Sequence, residues 1–223
     1  MNRLGTMLLL TGFMIAVAVY TSSTALEITA TLTGLLCVWL TAREQIWAWP
    51  IGLVNVGCFF YMFWEVRLYA DMTLQVFFFV LSVYGWIYWL KDRGSRKVRP
   101  TRRITSKNAA LLLVLLIVVT ELWGHLLSQY TDASIPYLDA FIATLSLIAQ
   151  FLLSSKYLEN WLCWIMVDIL SIGMYSYKDL HALAFLYVIF LSIAVAGYLS
   201  WRKELTKQRV HLAHEGGMPN GAA

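Results

Sequence analysis

Charge is scarce in this chain: of 223 residues, 13% are Asp, Glu, Lys or Arg, while 60% are hydrophobic and the mean hydropathy is +0.65. Soluble domains sit nearer a quarter charged and half apolar, so the composition excludes an ordinary water-soluble fold. A soluble helical bundle would also need polar faces at the 3.6-residue period, and runs such as AALLLVLLIVVT (residues 109–120) have none. Cysteine is rare as well. Cys37, Cys58 and Cys163 all fall in apolar runs with no ligand spacing, which excludes a disulfide framework or a zinc site and leaves them as small packing residues. The motifs HExxH and GxSxG and the glycine-rich phosphate loop are missing too. Glu121 and His125 lie i, i+4 on one helix, but two ligands do not make a metal site. No catalytic residue, metal or cofactor is therefore expected, and without a nucleotide-binding module the chain cannot drive pumping by itself.

What is present is length in apolar runs. Eight are candidates for membrane helices, each of which needs about 20 mostly apolar residues: 4–20, 26–41, 46–64, 72–89, 108–127, 137–154, 158–176 and 183–201. With the amino terminus in the cytoplasm, fifteen of the 17 Lys and Arg residues fall on the inner side and only Arg67 and Lys178 on the outer. That is the positive-inside bias of eight spans with both ends cytoplasmic. The basic 91–107 loop reads as a topology determinant facing anionic lipid, not as a nucleic-acid site. The first span could be read as a cleaved signal peptide. Its position matches that of 108–127 in the second half, which favours a retained helix.

The second half repeats the first. At an offset of 112, Trp49 falls on Trp161, Leu68 on Leu180, Ala70 on Ala182, Leu74 on Leu186, Phe78 on Phe190, Gly85 on Gly197 and Trp89 on Trp201. With one residue of slippage, ATLT (30–33) matches ATLS (143–146), and Thr41 and Arg43 match Ser154 and Lys156. The repeats start four spans apart, so both run through the membrane in the same sense. Parallel repeats of this kind occur in transporters whose substrate site lies near the midplane. Trp89 and Trp201, with Trp47, read as interfacial anchors, and the glycines as points of close helix approach.

Polar side chains within spans mark candidate sites. They are Asn55 and Gln75 in the first half and Gln150, Asn160 and Asp168 in the second, among the aromatics Trp49, Tyr61, Trp64, Tyr84, Trp161, Trp164, Tyr175 and Tyr187. Trp161, Trp164 and Asp168 share one helix face. Amides inside membranes also serve simply to bond neighbouring helices. As a cluster beside aromatic rings, they suit a flat, polar, aromatic solute.

The stretches WAWPIGLVN, LYADMTLQ and GWIYW, followed by ENWLCWIMVD and GYLSW, resemble the two halves of the PnuC family of bacterial vitamin transporters across residues 28–203. That family is similar to the SWEET sugar transporters. The resemblance implies an all-α integral membrane protein of eight transmembrane helices: two parallel three-helix repeats joined by a linker helix, plus an N-terminal helix. The segments would be the extra helix 1–25, a first bundle 26–90, the basic loop and linker 91–127, a second bundle 128–203 and a disordered cytoplasmic tail 204–223. It implies uptake of nicotinamide riboside across a bacterial inner membrane by facilitated diffusion, with a cytoplasmic nucleoside kinase trapping the product. Thiamine or riboflavin transport is the alternative within the family; a non-transporting receptor and a membrane enzyme are the alternatives outside it. The sequence leaves open whether the chain forms a homo-oligomer. The residues expected at the substrate are Trp49, Asn55, Gln75, Gln150, Asn160, Trp161, Trp164, Asp168 and Tyr187, with Gln75 and Tyr187 repeat-equivalent.

Overall fold

The computed structural model describes residues 12, 16, 19, 20, 24–91, 98–131 and 134–216, with backbone alone at 69, 70 and 208–216. Apart from those four early positions, the expected first span at 4–20 lies outside the described residues, as does 217–223. The helices described are α1 (Ala25–Ala42), α2 (Ala48–Glu65), α3 (Tyr69–Leu90), α4 (Ser106–Tyr130), α5 (Pro136–Ser154), α6 (Asn160–Tyr177) and α7 (His181–Gly216). The last helix runs past 203, so the segment from 204 to 216, expected to be disordered tail, is helical. Local chemistry fixes several starts. Thr24 and Glu27 form a reciprocal capping box at α1, Thr105 caps α4, and Pro136 opens α5.

Five of these helices are long and apolar enough to cross a membrane: Ala25–Ala42, Asp71–Leu90, Ser106–Tyr130, Pro136–Ser154 and His181–Lys207. The remaining two, α2 and α6, are repeat equivalents of 18 residues each. At 1.5 Å per residue they reach ~27 Å, close to the hydrocarbon thickness. Tryptophan, Asn55, Asn160 and Asp168 dilute their hydropathy. Each packs between two other helices, where polar side chains can find partners.

The packing closes on itself. α1 packs on α2, α2 on α3, α3 on α5, α5 on α6, α6 on α7, and α7 back on α1; among the described helices α4 packs chiefly on α5. Exchanging α1, α2, α3 for α5, α6, α7 leaves the ring unchanged, so the sequence repeat is also a repeat of packing, with α4 outside it. The corners repeat as well. The non-glycine residues with positive φ are Glu44 (55°), Arg67 (59°), Lys156 (61°) and Asp179 (58°). Each lies two residues past the end of α1, α2, α5 or α6, in a left-handed cap. In each, the amide of the following residue bonds back across the last turn: Gln45 to Leu40 O, Leu68 to Phe63 O, Tyr157 to Leu152 O and Leu180 to Tyr175 O. These caps correct one register. Lys156 is the structural counterpart of Glu44, at offset 112, not of Arg43, which its basic character suggests.

Four tryptophans close one end of the ring. Trp49 lies edge-on to Trp89 (ring centroids 5.2 Å apart), Trp89 meets Trp201 (5.6 Å), and Trp201 meets Trp161 (5.5 Å). Trp89 and Trp201 are 0% exposed. Their indole N–H groups donate across the repeat, Trp89 to Leu153 O (3.1 Å) and Trp201 to Thr41 O (3.2 Å). They are core residues, not the interfacial anchors that their place before a basic segment suggests; Trp47, 67% exposed, does face outward. Gly85 and Gly197 admit the rings of Trp49 and Trp161. A Cβ at Gly197 would lie 2.6 Å from the Trp161 ring, and one at Gly85 would clash harder with Trp49.

Lys156 is enclosed by this cluster, its side chain 0% exposed. Its Nζ lies 3.8 Å and 3.9 Å from the ring centroids of Trp89 and Trp201. It also lies 3.2 Å from Glu44 Oε1, an ion-pair distance without hydrogen-bond alignment. Glu44 accepts a second contact, from Thr101 Oγ1 (2.9 Å). Thr101 belongs to the basic loop, whose described part folds across the bundle rather than facing lipid. Arg99 N bonds to Trp89 O, Arg102 N to Lys156 O and Leu158 N to Arg102 O. The Arg102 guanidinium sits over Tyr157 at 4.2 Å, and Arg103 pairs with Glu159 at 3.6 Å.

Three outcomes are expected. Gly85→Ala and Gly197→Ala each force a buried indole to move and cost about 1–3 kcal/mol. Thermal denaturation in detergent should show both melting lower. Gly57→Ala, with nothing within 4 Å of the added methyl, should hold or gain stability by roughly 0.5–1 kcal/mol. Burial pushes the Lys156 ammonium down from 10.5 to about 8, against the pull of Glu44. A folded value below the unfolded one means that the contribution is fully present above pH 10.5 and lost as pH falls through 8. The melting temperature of the parent relative to Lys156→Met should therefore rise between those limits; a flat difference would contradict it.

Candidate functional site

The residues expected at the substrate fall into two layers. Trp49, Asn160 and Trp161 belong to the closed end. Trp49 and Trp161 are 4% and 1% exposed, and Asn160 is fully buried with its Nδ2 bonded to Tyr157 O at 2.5 Å. Each carries a buried polar atom without a hydrogen-bond partner: the two indole Nε1 atoms, which are repeat equivalents, and Asn160 Oδ1. An unpaired buried donor or acceptor costs about 1–3 kcal/mol, and native interiors keep few of them. A solute bearing both carbonyl and amide groups could satisfy these atoms.

The second layer lies deeper between the helices. Asp168 is 5% exposed and continues a stripe on α6 through Trp161, Trp164, Asp168, Ser171 and Tyr175. Tyr187 of α7 faces this stripe. Its ring lies 5.3 Å from that of Tyr175 and 5.9 Å from that of Phe190, with the hydroxyls of Tyr175 and Ser171 near its own and the Asp168 carboxyl within electrostatic range. Phe190 leads to the other repeat: a Cβ on Gly34 would lie 3.1 Å from Asn55 Nδ2 and 3.8 Å from Phe190 Cζ. Asn55 donates to Ala30 O at 2.6 Å. The fold thus brings Asn55, Asp168 and Tyr187 into one neighbourhood, joined by Ser171, Tyr175 and Phe190. Trp164 is half-buried and packs against the closed end. Gln75 is half-buried on α3. Gln150 stands apart, buried in the α3–α5 seam with its Nε2 on Ser82 Oγ at 3.2 Å.

The repeat shows how the two walls differ. At offset 112, the α6 stripe Trp161, Trp164, Asp168, Ser171 and Tyr175 corresponds to Trp49, Gly52, Val56, Phe59 and Phe63 of α2. One wall is polar where its counterpart is apolar, and Phe59 and Phe63 stack at 5.9 Å. Ser171 and Phe190 were not among the expected contacts. The i, i+3, i+7 spacing from Asp168 does point to Ser171 and Tyr175, whereas Phe190 has no polar atom to mark it. Among the described residues there is no group of three metal-ligating side chains.

Known proteins are similar to this chain in sequence and in fold. The profile of the nicotinamide mononucleotide transporter family matches residues 24–203. The nicotinamide riboside transporter PnuC of Escherichia coli (strain K12) is 28% identical over 201 residues, covering 79% of this chain and 84% of that one. The riboflavin/roseoflavin transporter RibM of Streptomyces davaonensis is 24% identical over 184 residues, covering 78% and 83%. The crystal structure of a vitamin B3 transporter PnuC superposes with a TM-score of 0.73 at 24% identity, over 93% of this chain and 94% of that one. A ring of apolar helices, a family profile spanning most of its length and a transporter of the same fold agree: this chain is a multi-pass helical membrane protein and belongs to the nicotinamide mononucleotide transporter family.

Proposed function

We propose that the chain takes up nicotinamide riboside across a bacterial inner membrane by facilitated diffusion. Access alternates between two parallel three-helix bundles, α1–α3 and α5–α7, with α4 as linker and the segment 4–20 as an eighth, N-terminal span. Both termini and the tryptophan-closed end face the cytoplasm, where a nucleoside kinase phosphorylates the product and keeps the gradient inward. The observation that carries the substrate class is the set of polar atoms buried between the helices. They are amides, hydroxyls, two unpaired indole N–H groups and one carboxylate; the buried Lys156 lies past the end of α5 and pairs with Glu44, and no Lys or Arg falls in the middle of a described apolar run.

That inventory suits a cationic nucleoside. The pyridinium can lie on tryptophan or tyrosine faces, worth roughly 0.5–2 kcal/mol, and Asp168 supplies the opposite charge. The carboxamide and ribose offer partners for the Asn160, Trp49 and Trp161 atoms left unpaired. A phosphate would face Asp168 without a basic partner beside it, which favours the nucleoside over the nucleotide. Riboflavin is the second reading, favoured by the likeness to RibM. It is neutral and would draw nothing from the Asp168 charge.

Calorimetry on purified protein decides between them. Nicotinamide riboside is expected to bind, with nicotinamide mononucleotide, riboflavin and thiamine weak or silent. Asp168→Asn should weaken nicotinamide riboside about tenfold, ~1.4 kcal/mol. Gln75→Ala and Tyr187→Phe should each cost about 1 kcal/mol. Tight riboflavin binding that ignores Asp168→Asn would move the chain to the second reading. Unchanged affinity in folded Gln75→Ala and Tyr187→Phe would remove those two from the site.

A further inference from the structure

In the closed order of helices, α1 stands opposite α5 and α3 opposite α7. Two contacts cross the ring between these opposed pairs. Glu44, at the end of α1, reaches Lys156, at the end of α5, at 3.2 Å. Trp89, from the end of α3, meets Trp201 of α7 with ring centroids 5.6 Å apart. The ammonium of Lys156 sits where the two contacts cross, 3.8 Å and 3.9 Å from the indole centroids. The two partners of the ion pair are repeat equivalents with the same left-handed backbone. One position of the repeat has thus become acidic in one copy and basic in the other, and the copies pair across the pseudo-twofold axis. Two identical charges there would repel.

We propose that Glu44 and Lys156 form the latch of the cytoplasmic gate: the pair, clamped by Trp89 and Trp201 and tied down by Thr101, must part before this end of the ring can open. This rests on the transporter reading above but not on the identity of the solute. The latch holds because its ammonium is dry. Its attraction to Glu44 is screened less than that of a pair at a surface, and the cation–π contacts offset part of the cost of burying the charge. It is reversible because nothing covalent joins the bundles. Glu44 has 23% of its side chain exposed, which gives water a route to the pair once the bundles begin to separate. Thr101 extends the latch into the basic loop, so the strap from 98 to 105 moves with Glu44 or releases it.

The test reads access to a buried position and uses no solute. Ala194 is 1% exposed and lies seven residues before Trp201 on α7, ~10 Å further in. With Cys37, Cys58 and Cys163 replaced by alanine, Ala194→Cys should react slowly with a maleimide applied to inside-out membrane vesicles. Adding Glu44→Gln or Lys156→Met should raise the rate about tenfold, ~1.4 kcal/mol of lost closure. Glu44→Gln keeps the shape and the Thr101 acceptor, so it stands in for Lys156→Met should the latter fail to fold. The exchanged pair, Glu44→Lys with Lys156→Glu, should return the rate towards the parent's. Single variants that melt like the parent and label no faster would overturn the latch, as would an exchanged pair that labels as fast as the single variants. A failure of the nicotinamide riboside assignment would appear in calorimetry and leave these rates untouched.

Discussion

A buried ammonium between two indole faces holds this protein's geometry together. Lys156 cannot be hydrated where it lies, so Glu44, Trp89 and Trp201 must stay in place around it. Each of those residues is in turn fixed by the other repeat. Trp89 donates to Leu153 O at the end of α5 and Trp201 to Thr41 O at the end of α1, carbonyls that also accept from the cap amides of Lys156 and Glu44. Glu44 and Lys156 take up the left-handed cap that ends their helices. Gly85 and Gly197 then leave room for Trp49 and Trp161 to complete the row. Helix ends, aromatic packing and the charge pair thus support one another at a single place.

Symmetry stops a short distance inside. Near the closed end the two repeats match in their packing, tryptophan on tryptophan, glycine on glycine, one cross-bundle hydrogen bond on its counterpart, while Glu44 and Lys156 differ only to pair. Deeper, α6 presents Asp168, Ser171 and Tyr175 where α2 presents Val56, Phe59 and Phe63. Rocking motion between two bundles benefits from symmetry, because both can hinge alike. Recognition of a nucleoside, with a charged ring at one end and a sugar at the other, needs unlike walls. The repeat supplies the first at its ends and gives way to the second in its middle.

Much of this could be read from the residues. The offset of 112, the Gly–Trp endings and the unusual Asp168 within an apolar run follow from identity and spacing alone, and the structure repeats the packing at that offset and buries Asp168. The stripe on α6 was legible because helical periodicity is a local property. Other readings failed where the deciding partner is remote. Trp89 precedes a basic loop and looks like an interfacial anchor, yet its hydrogen-bond acceptor is 64 residues away, and that of Trp201 is 160 away. Lys156 matched Arg43 by charge, but the sign of φ, which no side chain announces, pairs it with Glu44. The 98–105 segment reads as a lipid-facing basic loop until Tyr88, Tyr157, Ser155 and Glu159 are brought beneath its arginines.

The sequence by itself determined the apolar helices, their repetition and the polar residues set among them, because hydrophobicity and periodicity act within a segment and need no partner. Only the tertiary structure decided which tryptophans are buried and which charges meet. It also decided that one end of the ring is closed across its axis. Those outcomes depend on two helix ends, 112 residues apart, arriving within an ion-pair distance of each other. Such an encounter is set by the packing of the whole ring and by no stretch of chain within it.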